Sequence, residues 1–185
     1  MGKIQERMME KAEIRKQIRE LKRAVPTEEK FRRSEEIMRQ VERLPEFQAA
    51  RVVLLYWSMA DEVQTHDFVN RWYREKVLLL PCVEGDDLLL RRYTGPECLV
   101  AGEQFGIGEP KGEVFDDLAR VELIVVPGVA FDGKGNRMGR GRGFYDRLLK
   151  CTPTAMKVGV AFGFQMIESV PVEAFDVAMN QVIHD

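Results

Sequence analysis

The chain has 185 residues, 45% of them apolar and 31% charged, and its formal net charge is −2 at pH 7. That size suits one domain with a real core, the near-neutral charge disfavours a general nucleic-acid binder, and no apolar run is long enough to span a bilayer. Three cysteines without CxxC spacing and only two histidines point to reduced thiols in a cytoplasmic protein, and away from a His-rich zinc site or a Ser-His-Asp triad. Between residues 4 and 24 there is no Gly or Pro, and Ile4, Met8, Ile14, Ile18 and Leu21 recur near helical spacing. This predicts a long, charged amphipathic helix with no signal-peptide core. After Pro26, Thr27 is the candidate N-cap of a second helix, with Glu28 and Glu29 in its first turn and Pro45 as its stop. Val52 to Trp57 is a continuous apolar run of the kind found in buried parallel strands. Phe68 to Glu75 reads as a helix and Val77 to Leu80 as a strand ended by Pro81. The acidic turn from Glu84 to Asp87 suggests a hairpin into Leu88 to Tyr93. Thr94 to Val114 reads as ordered loops over the sheet. Leu123 to Val126 and Val158 to Phe162 are further core strands, Phe144 to Leu149 starts a helix, and Val182-Ile183 closes an edge. The alternation predicts a single three-layer α/β/α domain over residues 1–185, with a mostly parallel central sheet. Residues 1–45 form an N-terminal helical extension packed on it.

The fifteen residues from Gly133 to Arg147, GKGNRMGRGRGFYDR, carry most of the functional information. They hold five glycines and five cations and close with Phe144-Tyr145-Asp146-Arg147. Glycines let successive backbone N–H groups turn toward one anion, and arginines add forked donors suited to phosphate oxygens. The helix start at Phe144 favours negative charge as well. A carboxylate at the edge of such a loop makes sense with a divalent cation between it and the phosphates, so the segment reads as a Mg-nucleotide or polyphosphate site. It is not a P-loop, which needs GxxxxGK followed by Ser or Thr, nor a dinucleotide fingerprint. Asp132 to Asn136 is also strong turn chemistry. Because the loop follows Leu123 to Val126, it falls at the carboxyl end of a strand, where ligands of α/β sheets gather.

The order of features resembles the 5-formyltetrahydrofolate cyclo-ligase (methenyltetrahydrofolate synthetase) family. The residues that carry the likeness are Lys11-x-x-x-Arg15, Ser58-Met59-Ala60-Asp61-Glu62, and Pro127-Gly128-Val129-Ala130-Phe131-Asp132 leading into GNRMGRGRGFYDR. The resemblance spans the chain from about Lys11 onward. It implies an ATP- and Mg2+-dependent ring closure of 5-formyltetrahydrofolate to 5,10-methenyltetrahydrofolate. ATP would be the co-substrate, and the protein a monomer with no nucleic-acid or membrane partner.

Carried over by motif, the resemblance places ATP against Lys11, Arg15, Phe105 and the run Arg137, Gly139, Arg140, Gly141, Arg142, Gly143, Phe144 and Tyr145. Arg140, Arg142 and Tyr145 take catalytic roles, the two arginines stabilising charge. Trp57, Met59, Glu62 and Tyr145 are implied to hold the folate. A glutamate can accept from its amino-bearing ring. Asp146 is the implied metal ligand; Asn180 stands where relatives place a second acidic one, which leaves either a weaker site, compensation by Asp176, or a different alignment of the tail. Asp61 is expected to cap a helix. Two other readings of the residues stay open at this point: a sugar-phosphate isomerase or CoA transferase on a similar sheet, and an RNA- or anion-binding module built on the Arg-Gly loop.

Overall fold

The structure is a computed structural model that describes residues 2–101 and 108–185. Helix α1 (Gly2–Ala24) is followed by α2 (Thr27–Arg43) and a short α3 (Pro45–Ala49). Thr27 is not a cap. It is the first helical residue, and extended Pro26 occupies the cap position without a side-chain hydrogen bond. Pro45 both follows the end of α2 and opens α3, because a first-turn proline has no intrahelical N–H bond to lose.

Strand β1 (Val52–Leu54) leads through a tight turn to α4 (His66–Trp72), β2 (Val77–Glu84) and β3 (Asp87–Tyr93). Strand β2 runs through Pro81 rather than ending there. Its parallel pairing with β1 stops at Leu79, so the missing N–H at Pro81 costs no bond on that side. A small ribbon of β4 (Leu99–Ala101) and β5 (Gly108–Pro110) follows. Then come β6 (Leu123–Pro127), the hairpin β7 (Ala130–Phe131) and β8 (Arg137–Met138), α5 (Phe144–Cys151), β9 (Met156–Ala161) and β10 (Gln181–His184).

The main sheet has the order β10-β9-β6-β1-β2-β3 and is parallel except for β3. Alternating residues explain how it is buried on both faces. Val53, Leu55, Leu78, Leu80, Leu123 and Val125 pack with α2, α3 and α4, while Val52, Leu54, Leu79, Ile124 and Val126 pack with Leu148 and Leu149 of α5. Ile18 of α1 is buried with Ala130, Met138 and Val170, which docks the N-terminal helix on the β7–β8 hairpin. From β1 the chain moves toward β2 and β3; from β6 it moves the opposite way, toward β9 and β10. The neighbouring ends of β1 and β6 therefore flank the point where winding reverses, the usual place for a ligand crevice.

Candidate active site

Both halves of the site grow from that switch point. Beyond β1, the segment from Ser58 to Thr65 is tied into a compact turn. Ser58 Oγ accepts from Thr65 N–H at 3.0 Å, and Gln64 Nε2 donates to Met59 O at 2.7 Å. Glu62 Oε2 accepts from Met59 N–H at 3.0 Å. Beyond β6, Asp132 is buried and fixes the hairpin turn, accepting from the backbone N–H groups of Lys134, Asn136 and Val170 and from Asn136 Nδ2. Gln165 Nε2 braces the entry by donating to Gly128 O and Val129 O. The loop is thus rigid up to Met138 and glycine-rich beyond it. Gly141 and Gly143 have φ of +106° and +69°, a region in which side-chain-bearing residues are strained, and Gly143 forms the cap of α5.

The loop separates two cavities. The larger, about 600 Å³, lies between it and α1 and is lined by Lys11, Arg15, Gly139, Gly141, Phe175 and Asp176 among others. The smaller, about 140 Å³, lies on the β1 side and is lined by Glu62, Gly128, Arg140, Arg142, Phe144 and Tyr145. Arg137, Gly139, Gly143 and Asp146 belong to the walls of both.

Arg137 is the centre of this arrangement. It is 6% exposed, its Nη2 donates to Asp146 Oδ1 at 2.9 Å and its Nη1 to Pro127 O at 3.3 Å. The Tyr145 ring lies 5.5 Å from its guanidinium carbon. Its Nε–H is buried without a partner among the described residues. Arg15 Nε donates to Gly139 O at 3.2 Å, and Lys11 pairs with Glu173 at 2.6 Å across the larger cavity. Arg142 lies over the Phe144 ring, 5.4 Å away, from the loop's exposed side.

On the smaller cavity's wall, Arg140 Nη2 donates to Glu62 Oε1 at 3.1 Å and to Asp61 Oδ1 at 2.8 Å. Burial opposes the charge on Arg140, but Glu62 and Asp61 outweigh it and raise its pKa. Burial also pushes the Tyr145 phenol well above its ordinary value, and the Glu62 charge adds to this. Tyr145 therefore stays protonated at neutral pH and can serve as a donor rather than a base. Trp57 stacks on His66 at 4.0 Å and on Tyr93 at 5.7 Å. His66 Nε2 donates to Ser58 O at 3.0 Å, and burial lowers its pKa despite that bond.

The structure brings Lys11, Arg15, Arg137, Gly139 to Tyr145, Asp146 and Glu62 around the two cavities, with Met59 bonded to Glu62 through its backbone. Trp57 lines neither cavity. Asn180 lines neither cavity as well, and its Oδ1 accepts from Lys157 N–H at 2.8 Å. Phe105 lies outside the described residues. Asp61 caps no helix, since α4 begins only at His66; its carboxylate pairs instead with Arg140 and Lys22. Gln165, Lys22, Glu173 and Phe175 escape a reading of motifs, because their partners are distant in the chain; Asp132 heads the DGKGN turn and Asp176 is the carboxylate nearest Asn180 in the tail.

No described group of three or more His, Cys, Asp or Glu side chains is placed to hold a metal ion. A magnesium ion does not require one: it keeps waters and uses one or two carboxylates together with substrate phosphates. Asp146, facing both cavities with one carboxylate oxygen committed to Arg137, fits that donor set.

Residues 7–185 match the model of the 5-formyltetrahydrofolate cyclo-ligase family. The chain belongs to that family. It is 31% identical over 179 residues to the 5-formyltetrahydrofolate cyclo-ligase of Haemophilus influenzae, covering 92% of this chain and 95% of the relative. It is 30% identical to the enzyme of the same name from Escherichia coli K12, covering 90% and 95%. The NMR structure of Aquifex aeolicus 5,10-methenyltetrahydrofolate synthetase superposes with a TM-score of 0.84 at 40% identity, covering 94% of this chain and 89% of that one. Membership in the cyclo-ligase family sets aside the isomerase, transferase and RNA-binding readings. No described helix is long and apolar enough to cross a membrane.

Proposed function

We propose that this cyclo-ligase closes the ring of 5-formyltetrahydrofolate with ATP as phosphoryl donor, in a site where the glycine loop stands between nucleotide and folate. The observation that carries the reading is the pair of cavities sharing Arg137 and Asp146 as a common wall. The larger one, with Lys11 and Arg15, suits the triphosphate; the smaller one, with Glu62 and Tyr145, suits the reacting end of the folate. A phosphate oxygen is the kind of acceptor that the buried Nε–H of Arg137 lacks.

The formyl oxygen attacks the γ-phosphorus as the bond to ADP breaks, leaving an iminium-like phosphate. N10 then attacks the formyl carbon and loses its proton, and the C–O bond breaks to release inorganic phosphate. The products are 5,10-methenyltetrahydrofolate, ADP and phosphate. The chain's part is alignment and charge neutralisation, which dominate phosphoryl transfer. Arg137, Arg140 and Arg142 surround the transferring group, backbone N–H groups between Gly139 and Gly143 face its oxygens, and Tyr145 donates toward the formyl side. Asp146 would hold Mg2+, with Asp176, which lines the same cavity, as the second carboxylate; Asn180 lines neither cavity and its amide oxygen accepts from Lys157 N–H. The ion, when bound, neutralises charge on the triphosphate.

Purified protein with Mg-ATP should convert 5-formyltetrahydrofolate to the methenyl product, read by its near-ultraviolet absorbance. No change under saturating Mg-ATP, or equal change with ATP omitted, refutes the reading. Asp146→Asn should raise the Mg2+ concentration for half-maximal rate about 10- to 100-fold, the scale on which neighbouring ligand-shell changes act. An unchanged Mg2+ titration would remove Asp146 from the metal site.

A further inference from the structure

A second set of charges ties the tip of the glycine loop to the N-terminal helix. Lys22 Nζ lies 3.3 Å from Asp61 Oδ2, and the other oxygen of Asp61 lies 2.8 Å from Arg140 Nη2. The Lys22 side chain is 7% exposed, although lysine is almost never buried without a partner, and Asp61 is its ion-pair partner among the described residues. Burial lowers the pKa of Lys22 against the pull of Asp61 and Glu62. Burial likewise disfavours ionised Asp61, yet Lys22 and Arg140 outweigh it and hold that carboxyl below its ordinary range.

The same helix holds the loop at a second point, through Arg15 Nε and Gly139 O. Lys11, Arg15, Ile18 and Lys22 are spaced four, three and four residues apart and share one face of α1, which buried Ile18 seats on the hairpin. Helix α1 thus holds the loop at two points, the carbonyl of Gly139 through Arg15 and the side chain of Arg140 through Lys22 and Asp61. Arg140 needs such a hold. It lies between two glycines, one with positive φ, and its side chain is nearly half exposed. Its second hold, Glu62, is the carboxylate assigned to the folate, so folate binding would compete for it. Asp61 is not shared in this way.

We propose that Lys22 and Asp61 are positioning residues for ring closure: Lys22 orients Asp61, and Asp61 keeps Arg140 on the wall of the smaller cavity when Glu62 turns to the folate. The role of Arg140 rests on the function proposed above; the anchoring of its side chain does not.

Limited trypsin digestion of the full chain, with mass spectrometry of the cut after Arg140, tests the anchor without requiring activity. Lys22→Met and Asp61→Asn should each speed that cut several-fold relative to cuts elsewhere, while Lys22→Arg stays close to the original protein. Ile18→Ala, which loosens α1 without removing charge, controls for a general loss of docking. In ring-closure kinetics the Met and Asn variants should lose about 10- to 100-fold in kcat, the cost of small misplacements near a reacting centre. Their KM for ATP should stay within about twofold, since Lys22 and Asp61 lie off the nucleotide cavity. Equal cleavage after Arg140 in all variants, an Ile18→Ala effect as large as the charge variants, or unchanged kcat overturns the proposal. If the original protein shows no ring closure, the function reading fails, and the digestion still decides whether Lys22 and Asp61 hold Arg140.

Discussion

Replacing Arg137 with Met should lower kcat/KM for ATP about 1000-fold, at the lower end of what a transition-state arginine contributes to phosphoryl transfer. The size follows from its place in both cavities rather than from charge alone. Its fork meets Asp146 and the carbonyl of Pro127, its guanidinium lies near the Tyr145 ring, and its third donor site has no partner among the described residues. Loss of the side chain would therefore remove the proposed phosphate contact, unfasten Asp146 and loosen Tyr145 together. Arg137→Lys keeps one charge but not the planar fork, and should recover only a minor part of the rate. Breaking the pair with Asp146 should also cost about 3 kcal/mol of stability, as for other largely buried ion pairs that lose one partner. Urea unfolding measures that cost, and kinetics well below the unfolding midpoint keep the two effects apart. A variant less than about tenfold slower than the original protein would show that Arg137 is structural and that phosphate binds elsewhere in the loop.

How far this site could be read ahead of the structure depended on whether its parts are local. The glycine loop declares itself because its glycines and cations sit in one segment, and the helix after it begins where the loop ends. Strands β1, β2, β6 and β9 are readable because both faces of the sheet are buried, so each contains a continuous apolar run such as Val77 to Leu80 or Val158 to Ala161. Strand order is different. It depends on crossovers, and the reversal between β1 and β6 that brings Glu62 opposite the loop leaves no mark in any single segment. Asp61 illustrates the same limit. Its position before a helix suggests a cap, while its partners Lys22 and Arg140 are 39 and 79 residues away. Pro81 errs in the other direction: a local breaker sits inside a strand because the neighbouring strand has already ended.

The Asp146 and Asn180 assignments separate on similar grounds. Asp146 is in the first turn of α5, so the loop proposed to bind phosphate also delivers the carboxylate. Asn180 is reached only through alignment of the tail, and here it serves the β9–β10 edge: its N–H donates to Lys157 O and its side-chain oxygen accepts from Lys157 N–H. The side-chain bond occupies the amide oxygen that a metal ion would need.

The largest effect on stability should come from Asp132, which touches neither cavity. Asp132→Ala should cost about 4 kcal/mol, since it strands donors that now meet an ionised carboxylate. Three of those donors are backbone N–H groups, of Lys134, Asn136 and Val170, and they fix the hairpin turn and the C-terminal segment against each other. For a chain of this length the melting temperature should fall by roughly 8–16 °C. Ring closure should fall with it even below the melting point, because β8 sets where Arg137 and the loop begin. The pH dependence provides an independent check. Burial alone would raise the pKa of Asp132, but the bonds from Val170, Asn136 and Lys134 outweigh it, so the folded value lies below the unfolded one. Its contribution is then fully present above the ordinary carboxylate value of about 3.9 and is lost as pH falls through the folded value. The stability gap between the original protein and Asp132→Asn should therefore be widest at neutral pH and narrow as the solution is taken below about pH 4. A gap of constant size across that range would mean that the charge on Asp132 does not hold the turn, and that its shape alone does.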